Sequence, residues 1–329
     1  MPEPKVVITD MMADELAPER EALGPGIRLE ALDAHREEDL AGRIEDADAV
    51  IVYQVPLSRR AIERLERCRV IVRGGVGYDK VDGAFARARG IALAYVPDYC
   101  TEEVADSALG LLLALTRGLA FANARLRARE ASWSFAVAAP LRRLRGRVLG
   151  IVGLGRIGTA TALRAKALGM EVAYYDPYKP LGFDKALGLR RAATLEELAR
   201  ESWALSLHCP LTAETRTMID ADVLSLLPGG SYLVNTARGG VVDTAAVPAA
   251  VACGQLAGVG LDVLESEPPG EDDPLIRAWR DPGHPAHHRV VLTPHSAFYS
   301  EESRRECRTK AALTCLRALA GEPIPNVVN

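Results

Sequence analysis

The chain has 329 residues, of which 48% are hydrophobic and 26% charged, and its formal net charge is −4. That length is more than one compact core needs and suits two domains. The near-balanced charge excludes a strongly basic protein, so no nucleic-acid partner is expected, and the composition is that of an ordinary water-soluble domain.

Lys5 to Ile8 forms a strand-like run almost at once, without the basic-then-apolar layout of a signal peptide. Ala49–Tyr53, Val70–Arg73 and Ile91–Val96 are three more candidate strands. Between them, Ser58–Arg67 and Val81–Arg89 place apolar residues at helical spacing with Arg and Glu opposite. Strands alternating with helices imply a mostly parallel sheet covered on both faces. Thr101 to about Glu130 is expected to be one long helix, with Thr101 capping its start and Glu102 and Glu103 in its first turn. Its apolar positions Ala105, Leu109, Leu112, Leu113 and Leu119 exceed what one sheet contact requires, which points to a self-association surface. A second α/β alternation runs from Val148 to about Pro294, and Ser300–Leu319 closes the chain as an amphipathic helix.

The expected architecture is therefore α/β, with two Rossmann-like, doubly wound parallel-sheet domains and a ligand cleft between them. Residues 1–100 with 299–329 make a discontinuous substrate domain, and 101–298 make a nucleotide-binding domain. Apolar runs such as Leu109–Leu115 are too short to cross a bilayer, so no membrane partner is expected. The six cysteines are scattered and lack metal-ligand spacing, so no metal is expected and a reducing, cytoplasmic location is.

The sharpest motif is Gly153-Leu-Gly155-Arg156-Ile157-Gly158, which follows the strand-like Val148–Val152 and opens a helix running to Leu168. Gly153 permits a tight turn, Gly155 lets the backbone approach a pyrophosphate, and Gly158 allows helix to pack closely on strand. The helix amino terminus offers N–H groups and positive potential to the phosphates. The next strand, Glu171–Tyr175, delivers Asp176, placed to accept from both adenosine ribose hydroxyls and to repel a 2′-phosphate. NAD is the expected cofactor, not NADP.

Three polar residues each follow a later strand-like run: Arg238 after Ser231–Asn235, Glu267 after Gly258–Val263, and His295 after Val290–Thr293. Strand ends are where such sheets present ligands, so the three can converge. Ketone reduction needs a proton donor beside the carbonyl oxygen, and histidine serves near neutral pH. A carboxylate on its other nitrogen orients the ring and stabilises imidazolium, while an arginine binds a substrate carboxylate. Each alone has a plainer explanation: a loop cation, a surface acid, a strand-end cap. His284, His287 and His288 lie in a Pro/Gly-rich loop and carry no functional assignment. His208, after Ala204–Leu207, is either a packed strand-end residue or a neighbour of the cofactor.

Taken together, these stretches resemble the D-isomer-specific 2-hydroxyacid dehydrogenase family, from about Cys68 to Asn329. The resemblance rests on Val72–Asp79, Thr101–Asp106, Gly153–Gly158, Asn235–Gly240, and Leu261–Val263 with Glu267-Pro268 and Thr293–His295. It implies His295 as acid/base, Glu267 as its partner and Arg238 as substrate anchor. Arg73, Gly74, Gly75, Val76 and Phe298 are the further substrate-binding candidates, with backbone N–H groups near Gly75 and Val76 on the carboxylate. Cofactor contacts are implied at Thr101, Val104, Arg156, Ile157, His208, Cys209, Pro210 and Thr215. They are also implied at Thr236, Ala237, Arg238, Asp262 and His295, with Asp262 supporting the His295–Glu267 pair or nicotinamide placement. The family pairs its cofactor domains through the region after Thr101, so a homodimer is expected. Tyr174–Tyr178, Ala186–Leu189 and Phe298–Glu301 are most similar to C-terminal-binding-protein corepressors, which carry tryptophan at the position of Phe298. A metabolic enzyme acting on a 2-keto or D-2-hydroxy acid is the leading expectation, since the corepressors' disordered tail is absent. An NAD(H)-sensing interaction protein is the alternative, formate oxidation is disfavoured by Glu267, and phosphite oxidation stays open.

Overall fold

A computed structural model describes residues 3–10, 12 and 15–329. These divide into two units, one of residues 1–100 with 300–329 and the other of residues 101–299.

The first unit is a parallel sheet of β1 (Lys5–Asp10), β2 (Arg28–Ala34), β3 (Ala49–Val52), β4 (Val70–Arg73) and β5 (Ala92–Tyr95). Among the described residues its order is β2-β1-β3-β4-β5. The central strands are continuous apolar runs because both of their faces are covered. The edge strand β2 alternates and is only partly buried, so it lacks the strong signal of its neighbours and is absent from the sequence-based expectation. The helix expected over Ser58–Arg67 is a single turn, Arg59–Ile62, although Ala61, Ile62 and Leu65 are all buried.

The closing helix, Glu301–Ala320, packs on β3, β4 and the helix Ala17–Leu23. Ser300 and Ser303 cap its start reciprocally, each hydroxyl accepting the other's backbone N–H at 2.9 Å. Arg308 on this helix grips Glu19 through two bonds of 2.5 and 2.6 Å, both side chains buried. The last residue, Asn329, accepts from the Leu93 N–H at 2.8 Å and donates to the carbonyls of Gly83 and Ile91 at 3.0 Å. These bonds make 300–329 an integral part of the first unit.

In the second unit the strands are β6 (Val148–Val152), β7 (Glu171–Tyr175), β8 (Arg190–Arg191), β9 (Ala204–Leu207), β10 (Ser231–Asn235), β11 (Leu256–Leu261) and β12 (Val290–Leu292). All pair in parallel, in the order β12-β11-β10-β9-β6-β7-β8. The order reverses between β6 and β9, the switch point at which open α/β sheets take ligands.

The long helix expected from Thr101 to about Glu130 is broken. It runs as Thr101–Thr116 and Leu119–Arg127, bent by 59°, with Gly118 between them at φ +62°. A glycine in the left-handed region ends one helix and redirects the next. Thr101 is the first helical residue, not a cap outside the helix. The self-association argument also changes. Ala105, Leu109 and Leu112 are already buried inside the unit, because this helix packs on β10, β11 and the helix Arg156–Ala167. Large apolar side chains left exposed in the stretch that follows include Leu119, Trp133 and Phe135.

Candidate active site

The loop after β6 is shaped by what its glycines lack. Gly153 has φ +87°, and a Cβ on Gly158 would lie 2.1 Å from the Gly153 carbonyl oxygen. The first turn of the helix Arg156–Ala167 therefore rests directly on the strand end, a fit open only to glycine. A Cβ on Gly155 would meet nothing within 4 Å, so the space over the loop is open. No side chain caps this helix, and Arg156 and Ile157 begin it with their N–H groups at its positive end. Open space, an uncapped amino terminus and a nearby carboxylate fit a dinucleotide pyrophosphate.

Asp176 stands one residue past β7. Its Oδ2 accepts the Leu154 N–H at 2.9 Å and its Oδ1 the Tyr178 N–H at 3.0 Å. These bonds fix the carboxylate beside the loop, and a carboxylate retains further lone pairs for ribose hydroxyls. Across β6, the chain after β9 crosses close to Gly153, whose added Cβ would lie 2.8 Å from the Cys209 nitrogen. Burial pushes the Cys209 thiol up to about 11.

His208 and Thr236 directly follow β9 and β10, and the register pairs Leu207 with Asn235 just before them. Ser206 Oγ meets His208 Nε2 at 2.9 Å, while His208 Nδ1 and Thr236 Oγ1 are buried with no protein partner. Buried polar atoms without a protein partner at adjacent strand ends are what a bound ligand or water satisfies. Burial holds the His208 pKa down at about 3, so the ring is neutral at ordinary pH.

Other implied cofactor residues are occupied within their own segments. The Thr215 hydroxyl donates to the Pro210 carbonyl at 2.6 Å and accepts the Thr212 N–H at 2.8 Å, which makes it a brace of the loop. The Ala237 N–H is held by Asn235 Oδ1 at 2.9 Å. Val104 is buried.

The catalytic candidates stand past three neighbouring strands. Arg238 follows β10, and its carbonyl accepts from Asn235 Nδ2 at 2.9 Å while its own Nη1 donates to the Ala237 carbonyl at 2.8 Å. Asn235 thus ties both sides of the Thr236–Arg238 turn, a role the sequence marks only by its place at the strand end. Gly239 lets this turn meet the segment after β11, since a Cβ there would lie 1.9 Å from the Leu264 carbonyl carbon. In that segment Glu267 Oε1 accepts the Leu264 N–H at 2.9 Å, and Oε2 lies 2.7 Å from His295 Nδ1.

His295 itself sits at φ +50°, a left-handed conformation that costs free energy for a residue with a Cβ. Asp262 holds it there. This buried carboxylate accepts from Thr293 Oγ1 at 2.6 Å, Ser296 N–H at 2.9 Å and Ala297 N–H at 3.0 Å. The His295 N–H donates to the Asp262 carbonyl at 2.8 Å. Asp262 therefore organises the histidine turn, and all these bonds point away from a cofactor role for its carboxylate. Phe298 stands edge-on to His295, with ring centroids 6.3 Å apart.

In the first unit, the segment after β4 packs Gly74 against the Tyr53 ring, and the Arg73 side chain folds over Gly75. Val76 is partly exposed beside them.

The description "D-isomer specific 2-hydroxyacid dehydrogenase, NAD binding domain" matches residues 109–297, more than half of the chain. The chain belongs to the D-isomer-specific 2-hydroxyacid dehydrogenase family. Glyoxylate reductase of Korarchaeum cryptofilum is 39% identical over 292 residues, covering 87% of this chain and 84% of that protein. D-3-phosphoglycerate dehydrogenase of Methanocaldococcus jannaschii is 34% identical over 326 residues, and the chain, 99% covered, spans only 59% of that longer protein. D-lactate dehydrogenase of Aquifex aeolicus, solved with NAD and lactic acid, superposes with a TM-score of 0.83 at 28% identity, covering 96% of each chain. This dehydrogenase is thus an NAD-binding oxidoreductase, and the fit of the Gly153–Gly158 loop agrees with that cofactor.

Proposed function

We propose that the enzyme interconverts a small 2-keto acid and the corresponding D-2-hydroxy acid, with His295 as acid and base, Glu267 as its partner and Arg238 as substrate anchor. The carrying observation is the 2.7 Å contact between His295 Nδ1 and Glu267 Oε2 at the carboxyl edge of the sheet. It leaves Nε2 as the nitrogen that addresses substrate. NADH, when bound, supplies the hydride that reaches the carbonyl carbon. His295 Nε2 gives its proton to the carbonyl oxygen, and Glu267 stabilises the charged ring beforehand. In the oxidative direction His295 takes the hydroxyl proton back. Arg238 can hold the substrate carboxylate through two donors while a third stays on Ala237, and its charge polarises the carbonyl. In the first unit, the N–H groups around Gly75 and Val76 are the candidates for holding a substrate carboxylate, with Arg73 close to them. Phe298 limits the space beside His295. Asp176 favours NADH over NADPH, because its fixed charge repels a 2′-phosphate.

The relatives named above are a reductase and dehydrogenases, which favours catalysis over an NAD(H)-sensing corepressor role. We also place the enzyme in the cytoplasm as a homodimer. Its six cysteines are all unpaired, as a reducing compartment requires. Trp133 and Phe135 are 93% and 92% exposed, and covering them by a second copy removes that apolar surface from water.

The test is NADH oxidation over a panel of 2-keto acids, beginning with glyoxylate and including phosphite in the NAD-reducing direction. Turnover of at least one 2-keto acid that Arg238→Ala abolishes supports the assignment. Activity on phosphite alone, or on none, rejects it.

A further inference from the structure

One side-chain bond at the cofactor end of the seven-stranded sheet belongs to neither the glycine turn nor the catalytic turns. β6, which carries Gly153 at its end, lies between β7 and β9. β7 runs into Asp176-Pro177-Tyr178, and β9 into the loop Pro210–Arg216. Over the end of β6, the Tyr178 hydroxyl donates to a carboxylate oxygen of Glu214, 36 residues away in sequence. Both anchoring segments are braced. The Tyr178 N–H is held by Asp176 at 3.0 Å, and the Pro210–Arg216 loop is closed by the Thr215 hydroxyl at 2.6 and 2.8 Å. The bond therefore joins two fixed loops on opposite sides of the strand that presents the glycine turn. Tyr178 is 76% exposed, so burial does not hold its ring over this gap. Its bond to Glu214 does.

Asp176 marks the position of the adenosine ribose in a dinucleotide bound to such a sheet. The adenosine half must then pass between the loops that Tyr178 and Glu214 connect. We propose that Tyr178 and Glu214 form a clasp over the adenosine end of the NAD site, whose opening sets the rate at which the cofactor enters and leaves. The proposal rests on NAD as cofactor and is independent of the keto acid and of His295. An exposed hydrogen bond breaks and re-forms far faster than a dinucleotide exchanges. The crevice is then open for a fixed fraction of the time, and entry and exit both scale with that fraction. A clasp that closes equally over the free and the occupied site changes rates and leaves affinity nearly constant.

Stopped-flow NADH fluorescence with the full-length enzyme and no keto acid present tests this directly. Tyr178→Phe and Glu214→Ala should each raise the association and dissociation rate constants together by about three- to tenfold, the scale of one modest hydrogen bond. The dissociation constant should change by less than about twofold. The double variant should be no faster than either single one, because each alone removes the bond. ADP-ribose, followed as a competitor, should exchange faster in the same variants, since it carries the adenosine half without nicotinamide. Both positions are exposed, and an unchanged melting temperature confirms that the variants fold. An association rate that stays the same or falls overturns the proposal, as does additivity in the double variant. A variant that loosens NADH only by faster release also overturns it, since that is the mark of an ordinary binding contact. Absence of keto-acid turnover would leave this measurement intact.

Discussion

Two turns at the same edge of the seven-stranded sheet are built by opposite means. The turn after β6 is made by removing side chains: Gly158 lets a helix rest on the Gly153 carbonyl, and Gly155 keeps the space above open. The turn after β12 is made by adding them. His295 stands at φ +50° because Asp262, from the neighbouring strand, supplies three acceptor bonds to Thr293, Ser296 and Ala297. A glycine turn has its shape in its own few residues, and a ligand completes it. A hydrogen-bonded turn depends on a distant residue and is complete without a ligand. The first should therefore fail all at once, the second by degrees.

The largest effect separates chemistry from scaffold. His295→Ala should lower keto-acid reduction by a hundredfold or more, the usual cost of a lost general acid, while NADH affinity measured by fluorescence stays within about twofold. Joint loss of both would mean that the two turns are not independent. Gly158→Ala comes next, with NADH affinity falling by more than about tenfold because the new methyl overlaps a carbonyl oxygen. Near-normal affinity in this variant, by titration, would show that the helix can shift to make room.

Asp262→Ala should cost about 1–3 kcal/mol of stability in urea unfolding, the penalty for leaving three donors at a buried site without their acceptor. It should also slow reduction by about tenfold, with KM for NADH barely altered. A fall in NADH affinity larger than the fall in turnover would return Asp262 to the cofactor. The smallest effect is expected for Glu267→Gln. The carboxylate contact at His295 Nδ1 orients the ring, so its replacement by an amide should lower the rate of reduction by a few-fold with KM for NADH unchanged. An unchanged rate would end the pairing of the two residues.

The same contrast explains what could be read from the chain alone. The Gly153–Gly158 turn and Asp176 were legible because spacing within a short segment encodes them. Arg238, Glu267 and His295 could be grouped because each follows an apolar run, and parallel strands bring such ends to one edge. The work of Asp262 is only half visible in the sequence: the family resemblance implies support for the pair, but its three bonds reach another strand's turn. Thr215, expected at the cofactor, also braces its own loop, a detail that depends on where one hydroxyl points. The break at Gly118 was missed because a lone glycine in an apolar run leaves the helical period intact, and only its positive φ reveals the bend. β2 and the two-residue β8 are edge strands, stabilised by pairing more than by their own pattern.

His208 makes the nucleotide-binding unit acid-labile for a reason unrelated to catalysis. In the folded protein its pKa is held near 3 by burial, whereas an unfolded histidine titrates near 6.5. Above that value neither state binds the proton, and stability does not depend on this ring. As pH falls below about 6.5 the unfolded chain takes up a proton that the folded protein refuses. Stability then declines by up to about 1.4 kcal/mol per pH unit until the folded-state pKa is approached. Urea midpoints measured from pH 7 to pH 5 should show this decline, and His208→Gln should flatten it.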